Sequence, residues 1–177
     1  MKNVLGLIFV GLVMSLDIAY AGNETDQTEN SGNTLGFYSG IQIGASSIDI
    51  DCHYYYYKCD DDEIGFRLFG GASKIASLGP VDAGIEIGYA NLGDFMMEEV
   101  DALDATVALR LNLPLSTALI ARGGLAYWDA QDSDTDTTWA VGIEKSWPKA
   151  FARLEFSRYD IEDIDVDFVS LGGGYRF

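Results

Sequence analysis

Basic residues are scarce: 11 lysines and arginines face 28 aspartates and glutamates, for a formal charge of −17. The basic patch that nucleic-acid binding requires is therefore missing. Histidine occurs once, at His53, in a segment that also holds both cysteines. Nucleophilic catalysis usually wants a histidine beside serine or cysteine, so an esterase or deacylase built on strands lacks its base. Glu86 and Glu144 could nominally form an acid-base pair, but arginine neighbours keep both ionised. No enzyme activity and no cofactor are expected. Beyond the first twenty residues no stretch approaches the roughly 18 unbroken apolar positions of a transmembrane helix, so any membrane crossing must be made by strands.

Residues 1–21 combine a charged start, a short apolar centre and an Ala19-Tyr20-Ala21 exit, the anatomy of a secretory signal peptide. Residues 22–35 are polar and without periodicity and read as a flexible amino-terminal tail. The remainder, 36–177, is of single-domain size.

Within it, alternation of apolar and polar or small residues recurs eight times, over 37–46, 64–72, 81–89, 103–113, 117–128, 139–147, 151–159 and 166–177. The last run is typical. Tyr175, Gly173, Leu171 and Val169 alternate with Arg176, Gly174, Gly172 and Ser170, which is the period-two signature of a strand with one greasy face. Each run is about nine to twelve residues, the length of a tilted transmembrane strand, and eight is an even number, as closure requires. Pro80, Pro114 and Pro148 are the only prolines, 34 residues apart, and each follows an even-numbered run. Proline cannot donate to a ladder and belongs in turns. Odd runs lead instead into longer connections, 47–63, 90–102, 129–138 and 160–165. The fold class is therefore all-β, an eight-stranded antiparallel up-and-down transmembrane β-barrel with both termini at the short-turn, periplasmic side.

Alternation alone is equally compatible with an exported soluble ligand-binding barrel, in which the greasy face would line a cavity. Composition favours the membrane. A solvent-washed face would be rich in Lys, Glu and Thr, whereas the polar face here is Gly, Ala and Ser punctuated by Arg67, Glu86, Arg110, Arg122, Glu144, Arg153, Glu155 and Arg176, with Asp82 near one end. Small residues leave room in a narrow lumen, and opposite charges can pair there, as burial demands. Tyr89, Tyr127, Trp128, Trp139, Trp147, Phe151, Tyr175 and Phe177 lie near run ends, where aromatic girdles belong. Lys145 and Arg158 fall on the lipid-facing parity, close enough to run ends to snorkel.

Six pieces in order, Tyr38-Ser39-Gly40-Ile41-Gln42-Ile43-Gly44, Gly84-Ile85-Glu86-Ile87-Gly88-Tyr89, Ala121-Arg122-Gly123-Gly124, Gly142-Ile143-Glu144, Ala152-Arg153-Leu154-Glu155-Phe156 and the terminal Ser170 to Phe177, resemble the transmembrane domain of OmpA-type outer-membrane proteins. The resemblance covers roughly 37–177 and implies the outer membrane of a Gram-negative bacterium. It also implies lumenal pairing of Glu86 with Arg153 and of Arg110 with Glu144, within a plug or gate that includes Arg67, Arg122 and Glu155. Tyr175 and Phe177 become an insertion signature, with the barrel-assembly machinery and periplasmic chaperones as partners alongside outer-membrane lipid and lipopolysaccharide. The chain departs from the family in lacking its usual peptidoglycan-binding domain and in carrying a cysteine pair in the first loop. The main work expected is structural and surface-exposed, by a monomer, with a small gated conductance as the alternative.

Twenty of the 28 acidic residues fall in or beside the four long connections, among them Asp60 to Glu63, Asp101, Asp104, Asp129, Asp160 and Asp165. Divalent cations bridging these carboxylates to each other or to lipopolysaccharide phosphates is one reading, and plain solubility is the other. No Asp-x-Asp-x-Asp-Gly loop is present. Cys52 and Cys59, seven apart in an exported chain, favour a disulfide over a thiol role or a zinc site with His53. Between them Tyr54, Tyr55, Tyr56 and Tyr57 offer amphipathic area for contact with a host surface.

Overall fold

Period-two alternation commits each run to extended backbone, because a helix would scatter its apolar positions around the circumference. The computed structural model describes residues 35–49, 61–95, 98–129, 133–161 and 164–177. Eight strands form: β1 (Gly36–Asp49), β2 (Asp61–Leu78), β3 (Val81–Phe95), β4 (Glu98–Leu113), β5 (Thr117–Asp129), β6 (Ser133–Ser146), β7 (Ala150–Ile161) and β8 (Ile164–Arg176). Each pairs antiparallel with the next, and β8 returns to β1 from Tyr38↔Arg176 to Asp49↔Asp165, so the sheet closes into a barrel. Closure matters because an open edge in hydrocarbon would leave a row of N–H and C=O groups unsatisfied. The expected signal peptide over 1–21 and the expected tail, as far as residue 34, lie outside the described residues.

Pro80, Pro114 and Pro148 sit in the tight connections between β2 and β3, β4 and β5, and β6 and β7. That rim is called the turn end below. The opposite end, called the distal end, departs from expectation. Strands run 12 to 18 residues, not nine to twelve, and most of 90–102, 129–138 and 160–165 is paired strand, not loop.

The reason is that alternation does not stop at the edge of the apolar belt; it changes sign. On β4 the outward series Leu113, Leu111, Leu109, Val107, Ala105, Leu103 continues into Asp101 and Glu99. Its inward series passes from Arg110, Thr106 and Asp104 into the apolar Ala102 and Val100. On β8 the outward Leu171 and Val169 are followed by Asp167 and Asp165, and the inward Ser170 by Phe168 and Val166. Ile48, Ala90, Leu92, Ala126, Trp128, Tyr159 and Ile161 join these inward residues in one buried apolar core at the distal end. Two solvents explain the inversion. Hydrocarbon asks for apolar groups outside, while water around the projecting rim asks for them inside.

Ile41, Ile43, Ile85, Val107, Leu125, Val141, Leu154 and Leu171 point outward and are exposed, so the greasy face does not line a cavity, contrary to the soluble-barrel alternative. On β4 the outward apolar series spans ten residue steps, which at ~3.3 Å per step and ~40° of tilt give a band about 25 Å tall. Trp128 and Phe151, expected in the girdles, are corrections: both are 3% exposed inside the barrel. Parity decided their side, and nearness to a strand end did not.

Phe168 is fully buried in the distal core, so Phe168→Ala should destabilise the barrel by about 3–5 kcal/mol, read as a lower urea midpoint for unfolding from lipid vesicles. An aqueous distal interior would make the cost near zero.

Candidate functional site: the charged lumen

Inward positions of seven strands, β2 to β8, bring charged side chains together below the distal core. Arg67 on β2 is fully buried. Its Nε and Nη2 donate to the two carboxylate oxygens of Asp104 at 2.8 and 2.7 Å, and its Nη1 donates to Glu86 Oε1 at 2.9 Å and to Gln42 Oε1 at 3.3 Å. Such a two-pronged guanidinium–carboxylate match is among the stronger polar contacts available to a protein. Arg122 on β5 donates through Nη2 to Glu155 Oε1 at 2.7 Å and lies 3.3 Å from Glu86 Oε1. Arg153 on β7 donates through Nη1 to Glu86 Oε2 at 2.9 Å and through Nη2 to Glu144 Oε2 at 3.2 Å.

Glu86 is the hub, since it faces Arg67, Arg122 and Arg153 and also accepts from the Tyr38 hydroxyl at 2.9 Å. Glu144 is a second centre: Arg110 and Arg176 both donate to its Oε1, and Arg153 to its Oε2. The two pairs expected from the resemblance, Glu86 with Arg153 and Arg110 with Glu144, are both in contact. Arg67, Arg122 and Glu155 lie in the same web.

Asp104 was expected in an outward acidic loop and instead stands 1% exposed in the lumen, on Arg67. Its even number on β4 matches Thr106, Ala108 and Arg110, so parity was the signal that identified it. Below the distal core, with Asp104 and Asp82 counted, five inward carboxylates (Asp82, Glu86, Asp104, Glu144, Glu155) balance five inward guanidiniums (Arg67, Arg110, Arg122, Arg153, Arg176). Asp82 is held by Ser77 Oγ at 2.6 Å and Asn112 Nδ2 at 2.7 Å. Among the described residues, Ser170 Oγ is the one buried side-chain polar atom without a hydrogen-bond partner. A network this complete is the condition under which buried charge is tolerable at all.

Room for it comes from glycine. A Cβ on Gly88 would stand 2.4 Å from Arg67 Nη2, so the flat guanidinium lies where any side chain would be. Towards the turn end the web rests on aromatic rings: the Arg153 guanidinium is 4.8 Å from the Phe69 ring centre and 5.5 Å from that of Phe151, and Arg176 is 4.7 Å from Phe151. Phe69, Phe151 and Tyr38 form a small buried cluster of their own. Below it a vestibule with about 30 Å³ of space, lined in part by Lys74, Asp82, Arg110 and Arg176, opens at the turn end.

Tyr175 and Phe177 are exposed, their rings 5.4 Å apart. Arg158 does not snorkel freely: its guanidinium donates to Asp167 at 2.6 and 2.8 Å and to Asp165 at 3.2 Å. Cys52, Cys59, His53 and Tyr54, Tyr55, Tyr56 and Tyr57 lie outside the described residues. Among the described residues no three His, Cys, Asp or Glu side chains are grouped to hold a metal ion.

Residues 8–177 match the family described as "Outer membrane protein beta-barrel domain". The solved structure of Ail, the attachment invasion locus protein of Yersinia pestis, in complex with the heparin analogue sucrose octasulfate is similar over 80% of this chain and 99% of that one, with a TM-score of 0.54 and 18% identity. Neisserial surface protein A is similar over 80% of this chain and 97% of its own, with a TM-score of 0.56 and 10% identity. At such identities the likeness concerns the barrel alone. No curated protein sequence matches the chain.

A double-mutant cycle on Arg67→Gln and Asp104→Asn should give a coupling of about 1–3 kcal/mol in unfolding free energy, since each single change strands a buried charge and the pair of changes removes both. Additive effects would mean the two side chains do not interact in the folded barrel.

Proposed function

The chain belongs to the outer membrane protein beta-barrel domain family, and on that footing we propose that it is a sealed outer-membrane anchor whose work is done by the acidic rim it holds above the lipid. The observation that carries this reading is the double stop in the lumen. A balanced web of charge fills the middle, and a separate apolar core, with Leu92 and Phe168 at 0% exposure and Trp128 at 3%, fills the distal end. Hydrated ions meet first an electrostatic and then a dry barrier, and an eight-stranded lumen is narrow enough for side chains to fill. This favours anchorage over the gated channel, because rearranging the ion pairs would leave the apolar core in place.

The rim reading rests on charge. Ten carboxylates at the distal end, Asp62, Glu63, Glu99, Asp101, Asp129, Asp134, Asp136, Asp160, Asp165 and Asp167, are at least partly exposed, against Arg158 as the described basic residue there. Ail is seen with a polysulfated heparin analogue. An acidic rim repels such a polyanion, so the partner that fits this chain is cationic, or is an anionic surface such as lipopolysaccharide reached through divalent cations. In this reading the distal end faces out of the cell and the turn end faces the periplasm. Tyr175 and Phe177 serve recognition by the assembly machinery.

One register feature supports cation use. Asp101 stands opposite Asp129, and Asp160 opposite Asp165, and like charges facing across a ladder are destabilising. Hard divalent cations prefer oxygen ligands and relieve that repulsion.

Two outcomes are expected. In planar bilayers the parent and Arg153→Ala should both stay silent; a steady conductance in Arg153→Ala would overturn the sealed reading and install the gated channel. Millimolar calcium should raise the urea midpoint of the parent, with the gain reduced in Asp101→Asn/Asp129→Asn. A parent indifferent to calcium removes cation bridging and leaves the acidic rim as a solubility feature.

A further inference from the structure

We propose that the turn end seats anionic phospholipid headgroups, through a patch made by the β4–β5 turn, the end of β6 and the β6–β7 turn. Exposed charge is segregated along the barrel. Among the described residues the carboxylates nearest the turn end, Asp82 and Glu144, are buried at 7% and 1% exposure, whereas Lys74, Lys145 and Lys149 there are exposed and Arg110 and Arg176 partly so. At the distal end the proportion is reversed. Among the described residues the turn rim thus carries exposed basic side chains and no exposed acidic one.

Geometry gathers part of that ring into one patch. Ser146 N donates to Ser116 O at 2.8 Å, which lays the β4–β5 turn against the end of β6, and Trp147 N donates to Ala150 O at 2.8 Å, which closes the next turn. Arg176 N donates to Lys149 O at 2.7 Å and ties the end of β8 to the same place. Leu115 at the first turn is 85% exposed and Trp147 51% exposed. In water this would be a costly pair of apolar tips. In a membrane both sit at the interface, with the indole at the headgroup level.

Lys145 lies on the lipid-facing side of β6, and its amino group donates to the Leu115 carbonyl, which holds the charge at the level of the turns. Lys149 is exposed two residues beyond Trp147. Two ammonium groups flanking an interfacial indole match a phosphate-bearing headgroup with net negative charge, and fit a zwitterionic headgroup less well because its own cation is repelled. The inference goes beyond the sealed-anchor reading and does not depend on it, since a conducting barrel would carry the same patch.

The test uses the full barrel refolded in vesicles, in a Trp139→Phe background that leaves Trp147 as the lipid-facing indole, with Trp128 shielded inside the barrel. Trp147 fluorescence is quenched by brominated phosphatidylglycerol or brominated phosphatidylcholine at equal mole fraction. The expected result is about twofold greater quenching by the anionic lipid, lost in Lys145→Gln/Lys149→Gln and in molar salt, where the Debye length shrinks to about 3 Å. Equal quenching by the two lipids, or an excess that survives the double substitution, overturns the proposal. Heat-shifted gel migration of each variant confirms that the barrel has folded before quenching is read.

Discussion

Charge with nowhere to go is the constraint on which this barrel rests. Arg67, Glu86, Arg122, Glu144, Arg153 and Glu155 are each at most 5% exposed, and a single unmatched member would cost several kcal/mol. The consequences spread outward from that requirement. Gly88 must lack a side chain because the Arg67 guanidinium occupies its place. Tyr38 and Gln42 are spent on carboxylates of β3 and β7, so β1 is bound to the strands next beyond its ladder neighbours as well as to those neighbours. Phe69 and Phe151 offer their ring faces to the guanidiniums of Arg153 and Arg176. Electrostatic balance thereby dictates where glycine, tyrosine and phenylalanine stand on faces that hydropathy alone would call merely polar.

The second organising fact is that the chain meets two solvents along its length. In the belt it is a membrane protein, with Leu109, Val107 and Ile85 outside. Above the belt it has the polarity of a water-soluble β-protein, with Val100, Leu92 and Phe168 inside and Asp101 and Asp167 outside. The same strands serve both regimes because the side-chain period is two throughout. Only the chemistry assigned to each parity is exchanged, at Leu103/Ala102/Asp101 on β4 and at Val169/Phe168/Asp167 on β8.

That exchange explains what could be read from the amino-acid sequence and what could not. Strand number, closure, turn positions and the inward placement of Glu86, Arg110, Glu144 and Arg153 follow from unbroken alternation and from prolines at constant spacing, whereas the pairing of Glu86 with Arg153 and of Arg110 with Glu144 comes from the family resemblance. The distal ends are not legible from an apolar-out rule, because their residues have already left the lipid. Asp101 and Asp104 look alike as neighbours in an acidic stretch, yet three positions separate opposite faces of a strand. Trp128 next to Asp129 looks like a girdle aromatic, but its parity is that of Arg122 and Gly124. Contacts across the lumen, such as three guanidiniums converging on Glu86, depend on the shear of the closed sheet, which no local pattern encodes.

The seam between β1 and β8 joins residues as far apart as Tyr38 and Arg176, among the most distant partners the chain has. Until that seam forms, Gln42 cannot reach Glu155, and Arg153 is separated by open sheet from Glu86 on β3. A partly assembled ribbon would expose bare ions to acyl chains, so insertion strand by strand is penalised at every step before the last. Assembly is then forced towards concert: the charges are matched only as the cylinder closes, with the slow event being the meeting of its two ends.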